Sequence, residues 1–286
     1  MTPPPHPEYL VTLVSPGSGA GDGVPGAAVR EAASGRIVDL VPGHNDVYSA
    51  VAGTGDNRLF YLAARSSRAD TAEREPEIGR IPPGGAFRVR IDEAGSVVEL
   101  SAVPGVPEPE PGSPGPTDLA ATADGGTLAY PIVAPREWYS RPPAVWPTQD
   151  FHKDDPEEVP ESVWPPAGIA LVTVATGERT EWRPAAGGFP ERVSLAADGR
   201  RMAFAWHGRP EDTGIHVLDL PAILPGGVIT TPSRLVVPDR NTLSESPMGQ
   251  SGLGCLGHAA ISADGSVLYV TAARGEAGGQ ATTRLA

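Results

Sequence analysis

The stretch Ser262-Ala263-Asp264-Gly265-Ser266-Val267-Leu268-Tyr269-Val270 decides how this chain is read, because the chain contains it more than once. Thr122-Ala123-Asp124-Gly125-Gly126-Thr127-Leu128-Ala129-Tyr130 and Ala196-Ala197-Asp198-Gly199-Arg200-Arg201-Met202-Ala203-Phe204 repeat it. A looser copy surrounds Asp56. Internal repeats of this kind are weighed before any single motif, since they fix the architecture.

Extended outward, the four copies cover Ser49–Ala64, Thr117–Val133, Glu191–His207 and Gly257–Ala273, with anchors Asp56, Asp124, Asp198 and Asp264 spaced 68, 74 and 66 residues apart. Gly125, Gly199 and Gly265 follow three anchors and Asn57 the first, all residues that tolerate positive φ in a tight turn. Four residues past each anchor stand Phe60, Leu128, Met202 and Leu268, and six past stand Leu62, Tyr130, Phe204 and Val270. Apolar residues two apart predict a strand. Val51, Leu119, Val193 and Ala259 occupy the position five before, so each copy reads as strand, turn, strand.

A second hairpin follows each complete copy. Phe87–Ile91 turns at Ala94-Gly95 into Val97–Leu100, and Ile169–Val174 turns at Thr176-Gly177 into Arg179–Trp182. Ile215–Leu220 leads through a Pro/Gly segment to Arg234–Val237. The chain opens with Tyr9–Val14 and a hairpin at Ser34-Gly35, and Thr282–Ala286 reads as the start of a further strand.

Two hairpins make a four-stranded antiparallel sheet, and repeating such sheets makes a propeller. The expected fold is therefore all-β, a β-propeller of four-stranded antiparallel blades, about four to five of them. An incomplete ring and a β-sandwich stand as alternatives. Residues 1–8 read as a disordered tail and 9–286 as the propeller domain, a truncation at the carboxyl end being left open.

The three closest copies resemble the Ser-Pro-Asp-Gly-x-x-Leu-Ala-Phe signature of TolB-like and WD-repeat-like propellers. All three have Ala where that pattern has Pro, and the second also lacks the Ser. The resemblance covers roughly residues 45–275. It implies a fold rather than an activity, because such propellers carry unrelated functions.

Composition narrows the partners. Of 286 residues, 35 are Gly and 33 Pro, which leaves few windows for a long helix. Lys153 is the only lysine among 22 basic residues, a bias that fits GC-rich, actinobacterial coding. The net charge of −13 disfavours a nucleic-acid backbone or an anionic membrane as partner. Cys255 is alone, so no internal disulfide forms. Neither a signal peptide nor a transmembrane segment is legible, which reads as cytoplasmic as written and extracytoplasmic if an anchor precedes the chain.

The functional pointer is an asymmetry. If the anchored hairpin holds the A and B strands of a blade, its turn and the C–D turn share one face, and the B–C and D–A connections share the other. The long segments Ser66–Ala86, Val103–Pro116, Ala134–Ala167 and Pro238–Gly257 belong to the second face. Elaborated loops on a rigid scaffold are where binding residues gather. At the A-strand entries, six before each anchor, stand Ala50, Asp118, Arg192 and His258. Asp118, Arg192 and His258 are candidates for a polar ligand or for simple solvation and mutual pairing. The insertion 134–167 adds Trp138, Tyr139, Trp146 and His152, either recognition aromatics or packing for the loop.

Catalytic and metal motifs fail by inspection. Asp154, Asp155, Glu157 and Glu158 lack EF-hand alternation. Gly21–Gly26 matches G-x-G-x-x-G with no room for a helix behind it, and Gly249-Gln250-Ser251-Gly252-Leu253 breaks the nucleophile elbow. Cys255 beside His258 reads as a small buried hydrophobe rather than a thiolate pair. No cofactor, metal or catalytic residue is assigned. The expectation is a non-catalytic scaffold binding a protein, peptide or small ligand on the long-loop face. A propeller hydrolase or lyase with Asp118 and His258 at the channel mouth is the alternative, and a structural fragment the third.

Overall fold

In the computed structural model of the chain, residues 8–14, 26–41, 48–64, 85–107, 116, 118–132, 167–184, 188–207, 212–238, 256–273 and 280–285 are described. Every regular element among them is a strand. The chain carries the β-propeller fold that the repeat predicts.

The strands run β1 (Tyr9–Val14), β2 (Gly26–Glu31), β3 (Ile37–Val41), β4 (Tyr48–Gly53), β5 (Leu59–Ala64), β6 (Gly85–Ile91) and β7 (Val97–Ala102). They continue as β8 (Ala120–Ala121), β9 (Thr127–Ile132), β10 (Gly168–Thr173), β11 (Glu178–Trp182), β12 (Phe189–Leu195) and β13 (Arg201–His207). The last are β14 (Gly214–Asp219), β15 (Gly227–Ile229), β16 (Arg234–Pro238), β17 (Leu256–Ile261), β18 (Leu268–Ala273) and β19 (Gln280–Leu285).

They form five consecutive sheets: β1-β2-β3, β4-β5-β6-β7, β8-β9-β10-β11 with β15 added, β12-β13-β14-β16, and β17-β18-β19. The second and fourth are four-stranded A-B-C-D blades with antiparallel register throughout. In the first, the Ala32 amide donates to the Glu8 carbonyl as Ile91 does to Arg58 and Leu220 to Arg200. That shared bond identifies β1 as a B strand.

The anchor turns form as their residues require. Gly125, Gly199 and Gly265 all take φ 70° and Asn57 takes φ 51°. Only residues with little left-handed penalty fit such turns cheaply. Gly35, Gly95 and Gly177 do the same in the C–D turns.

Two compact units divide the chain, Met1–Leu128 with Val172–Glu178 and Ala129–Leu171 with Arg179–Ala286. In the first unit, Tyr9, Val11, Val29 and Val41 pack against Phe60, Leu62, Phe87, Val89 and Ile91. In the second, Ala203, Ala205, Ile215 and Val217 pack against Ala259, Leu268 and Val270. Each large side chain buried this way contributes about 1.5–3 kcal/mol.

The B strands β5, β9 and β13 are buried on both faces, whereas β1 and β18 expose Leu10, Leu13 and Tyr269. In β9 and β13 the large Leu128, Tyr130, Met202 and Phe204 alternate with the small Ala129, Ala203 and Ala205, all buried.

Two elements depart from expectation. The A strand of the third sheet shrinks to β8, two residues, after Pro114-Gly115-Pro116, whose prolines donate no ladder bond. And the Pro/Gly segment after Leu220 is not merely a turn: Gly227–Ile229 pairs in parallel with Thr180–Trp182 of the preceding sheet. The Trp182 Nε1 donates to the Thr231 carbonyl at 2.8 Å and the Gly226 amide to Thr180 Oγ1 at 3.1 Å, fastening that strand.

Candidate functional site

Each acidic turn is closed by its own side chains. Thr54 Oγ1 donates to Asp56 Oδ1, Thr122 Oγ1 to Asp124 Oδ1 and Ser262 Oγ to Asp264 Oδ1, each at 2.6 Å. At the third copy Ala196 has no hydroxyl, and Asp198 Oδ1 only accepts the Arg200 amide at 2.9 Å. Burial pushes the Asp56 carboxyl up, but the Thr54 hydroxyl and the Arg58 and Leu59 amides outweigh it, leaving it below its ordinary value. The Thr122 hydroxyl and the Gly126 amide lower Asp124. The Ser262 hydroxyl, with the Ser266 amide and hydroxyl, holds Asp264 at about 2.

Neighbouring turns are also joined to each other. Within unit 1 the Gly55 amide donates to the Ala123 carbonyl at 2.8 Å, and within unit 2 the Ala197 amide donates to the Ala263 carbonyl at 2.9 Å. A side chain crosses beside each bond, Tyr61 Oη to the Gly125 carbonyl at 2.6 Å and Arg201 Nη1 to the Gly265 carbonyl at 2.8 Å. The short turns thus spend their polar groups on one another.

Beyond the turns, three A strands are irregular. In β4–β5 the register shifts between Tyr48 and Ala50, in β12–β13 between Glu191 and Ser194, and in β17–β18 between Leu256 and Ala259. In β4 and β17 the shift follows the first strand residue, whereas in β12 it falls mid-strand, at Arg192 and Val193, after three regular pairs. Bulges re-aim side chains and are common beside binding sites.

Arg192 and His258 lie in two of these bulges, on β12 and β17, which pack together; the Ile261 amide donates to Ser194 Oγ at 3.1 Å. Arg192 is exposed and has φ 56°. Left-handed backbone costs a non-glycine residue about 1–2 kcal/mol. Among the described residues only Asn57 shares a positive φ without being glycine, and Asn57 sits in a turn that favours it.

Asp118, in unit 1, is half-buried just ahead of β8, its Oδ1 accepting the Leu119 amide at 3.0 Å. Ala50 is buried. Trp138, Tyr139, Trp146 and His152 lie outside the described residues, as do most of the long connections.

One polar centre escapes sequence reasoning. His216 is buried in β14, stacked on Phe204 at 5.8 Å and tilted against Trp206 at 6.5 Å, with Trp182 touching both aromatics. Its Nε2 lies 2.7 Å from the Asp212 carbonyl and its Nδ1 2.9 Å from Ser233 Oγ. Burial holds the imidazole below its ordinary value. Those contacts leave both ring nitrogens occupied, so His216 serves the core. The available signal was a His between Ile215 and Val217 in an apolar strand.

Among the described residues no group of three or more His, Cys, Asp or Glu is placed to hold a metal ion, and no helix is long and apolar enough to cross a membrane.

No protein family and no curated protein matches the chain by sequence. Solved structures match it by fold. TolB from Acinetobacter baumannii matches with a TM-score of 0.50 at 12% identity, over 96% of this chain and 49% of that one. The putative TolB from Agrobacterium tumefaciens gives 0.43 at 13% identity, over 87% of this chain and 61% of that one. Hydrazine synthase of Kuenenia stuttgartiensis gives 0.47 at 14% identity, over 91% and 65%. The chain spans about half the length of the Acinetobacter protein, and that likeness establishes a TolB-like propeller fold.

Proposed function

We propose that the chain is a non-catalytic propeller scaffold that binds a protein, peptide or small ligand on the face of the A-strand entries and the B–C and D–A connections. One observation carries the reading: the two ends of the blades are built differently. Three of the four anchor turns are closed by their own hydroxyls, and within each unit two turns are bonded to each other. The A strands instead carry bulges, and the one in β12 holds an arginine in left-handed backbone. Binding sites are drawn from the end with irregular backbone and long connections.

Arg192 and His258, both in unit 2, are the contact residues assigned to this surface, with Asp118 of unit 1 and the aromatics of 134–167 as separate candidates. A net charge of −13 favours a partner other than nucleic acid.

The test compares faces. Immobilised parent, an Arg192→Ala/His258→Ala pair and an Arg58→Ala/Arg200→Ala pair are each exposed to extract of the source cell. Capture of the same partner by the parent and the turn-face pair, and its loss in the entry-face pair, supports the reading. Loss in the turn-face pair alone contradicts it.

A further inference from the structure

We propose that Arg192 anchors this surface by holding an oxyanion, a carboxylate or phosphate group on the ligand; the inference rests on the reading of that face as the binding surface. The backbone at residue 192 has the conformation that glycine adopts most cheaply, and the chain places glycine at φ 70° in three of its anchor turns. In the fourth it uses Asn57, whose short amide suits such backbone. Arginine has neither advantage. A residue kept where the fold prefers glycine is kept for its side chain, and strain of this kind clusters at ligand clamps.

That side chain is exposed, always charged and forked, the geometry that meets carboxylate and phosphate oxygens two at a time. The bulge that strains it also re-aims it, and the matching bulge of β17 places His258 at the same offset from its own anchor. Arg192 has contacts of its own within the chain, so the ligand oxyanion joins or replaces them.

Arg192→Gly separates the two roles of the position. Parent, Arg192→Gly and Arg192→Lys are titrated at low ionic strength with inorganic phosphate and with a hexaglutamate peptide, read by calorimetry, and each is melted. The parent binds at least one probe. Arg192→Gly melts a few degrees higher, because its backbone strain is relieved, and loses roughly tenfold or more in affinity. Arg192→Lys, charged but without the fork, falls between. Binding of phosphate alone identifies a phosphate-bearing ligand, and binding of the peptide alone a carboxylate.

Failure of the parent to bind either probe overturns the proposal. So does a glycine variant that binds as the parent does, or one that gains no stability. If the paired-variant capture still depends on this face while neither probe binds, the surface stands and the oxyanion does not. If the capture fails as well, both fall.

Discussion

In unit 1 the Gly55 amide bonds to the Ala123 carbonyl, and in unit 2 the Ala197 amide bonds to the Ala263 carbonyl, the same link at the same offset from the anchors. What surrounds the two links differs. The first is covered by the fully buried Tyr61, whose hydroxyl reaches the Gly125 carbonyl. The second is crossed by Arg201, 40% exposed and paired with Asp219 at 2.6 Å. The first is flanked by two threonine-closed turns, whereas the second has Ala196 on one side. A backbone bond that recurs needs only strand geometry. How tightly it is held is decided side chain by side chain.

The sharpest way to break this comparison is to add one methyl group to each turn. A Cβ on Gly125 would meet Leu59 Cδ2 at 2.8 Å, Tyr61 Oη at 3.1 Å and Thr54 Cγ2 at 3.2 Å, at φ +70°. A Cβ on Gly265 would meet nothing closer than Ala196 Cβ at 3.5 Å, at the same φ. Gly125→Ala is therefore expected to cost about 3 kcal/mol, strain plus overpacking, and Gly265→Ala about 1 kcal/mol, strain alone. Urea unfolding of both variants measures the gap. Equal costs would mean that the joints are equally packed.

Next in size are the crossing side chains. Tyr61→Phe strands a buried carbonyl and is expected to cost about 1–2 kcal/mol. Arg201→Ala removes a solvent-screened contact and is expected to cost under about 1 kcal/mol.

Acid sensitivity sharpens the contrast further. Buried His216, in unit 2, stays neutral in the folded chain, while the unfolded chain takes up a proton near 6.5. Its stability contribution is complete above that value and is lost as the pH falls toward the lowered folded one. The melting temperature should decline from pH 7.5 to 5.5 in the parent and decline less in His216→Gln. Asp264 acts lower on the scale: its contribution is present above 3.8 and lost as pH falls toward about 2. The smallest effect is a gain. Ala196→Ser supplies the hydroxyl that the other three turns have and should stabilise by about 0.5 kcal/mol, making the second joint more like the first.

Much of this architecture is legible in the residues themselves. Anchors with Gly or Asn behind them and large apolar residues four and six positions on specify the hairpins, because turn chemistry and strand period agree. The added strand β15 is not legible: Pro225-Gly226-Gly227 reads as turn, and its pairing with Thr180–Trp182 depends on a neighbouring blade. Position singled out Arg192 and His258, but the left-handed backbone at Arg192 arises from the bulge and leaves no trace in its residue type. His216 was hidden for the opposite reason, since one polar residue inside an apolar strand resembles a solvated one until its neighbours are known.

Hydrogen exchange on the chain bound to its captured partner tests the central claim most directly. The account predicts new protection at residues 191–195 and 256–261, the bulged segments of β12 and β17, with exchange at the anchor turns 54–58, 122–126, 196–200 and 262–266 unchanged. Protection confined to those turns would contradict it.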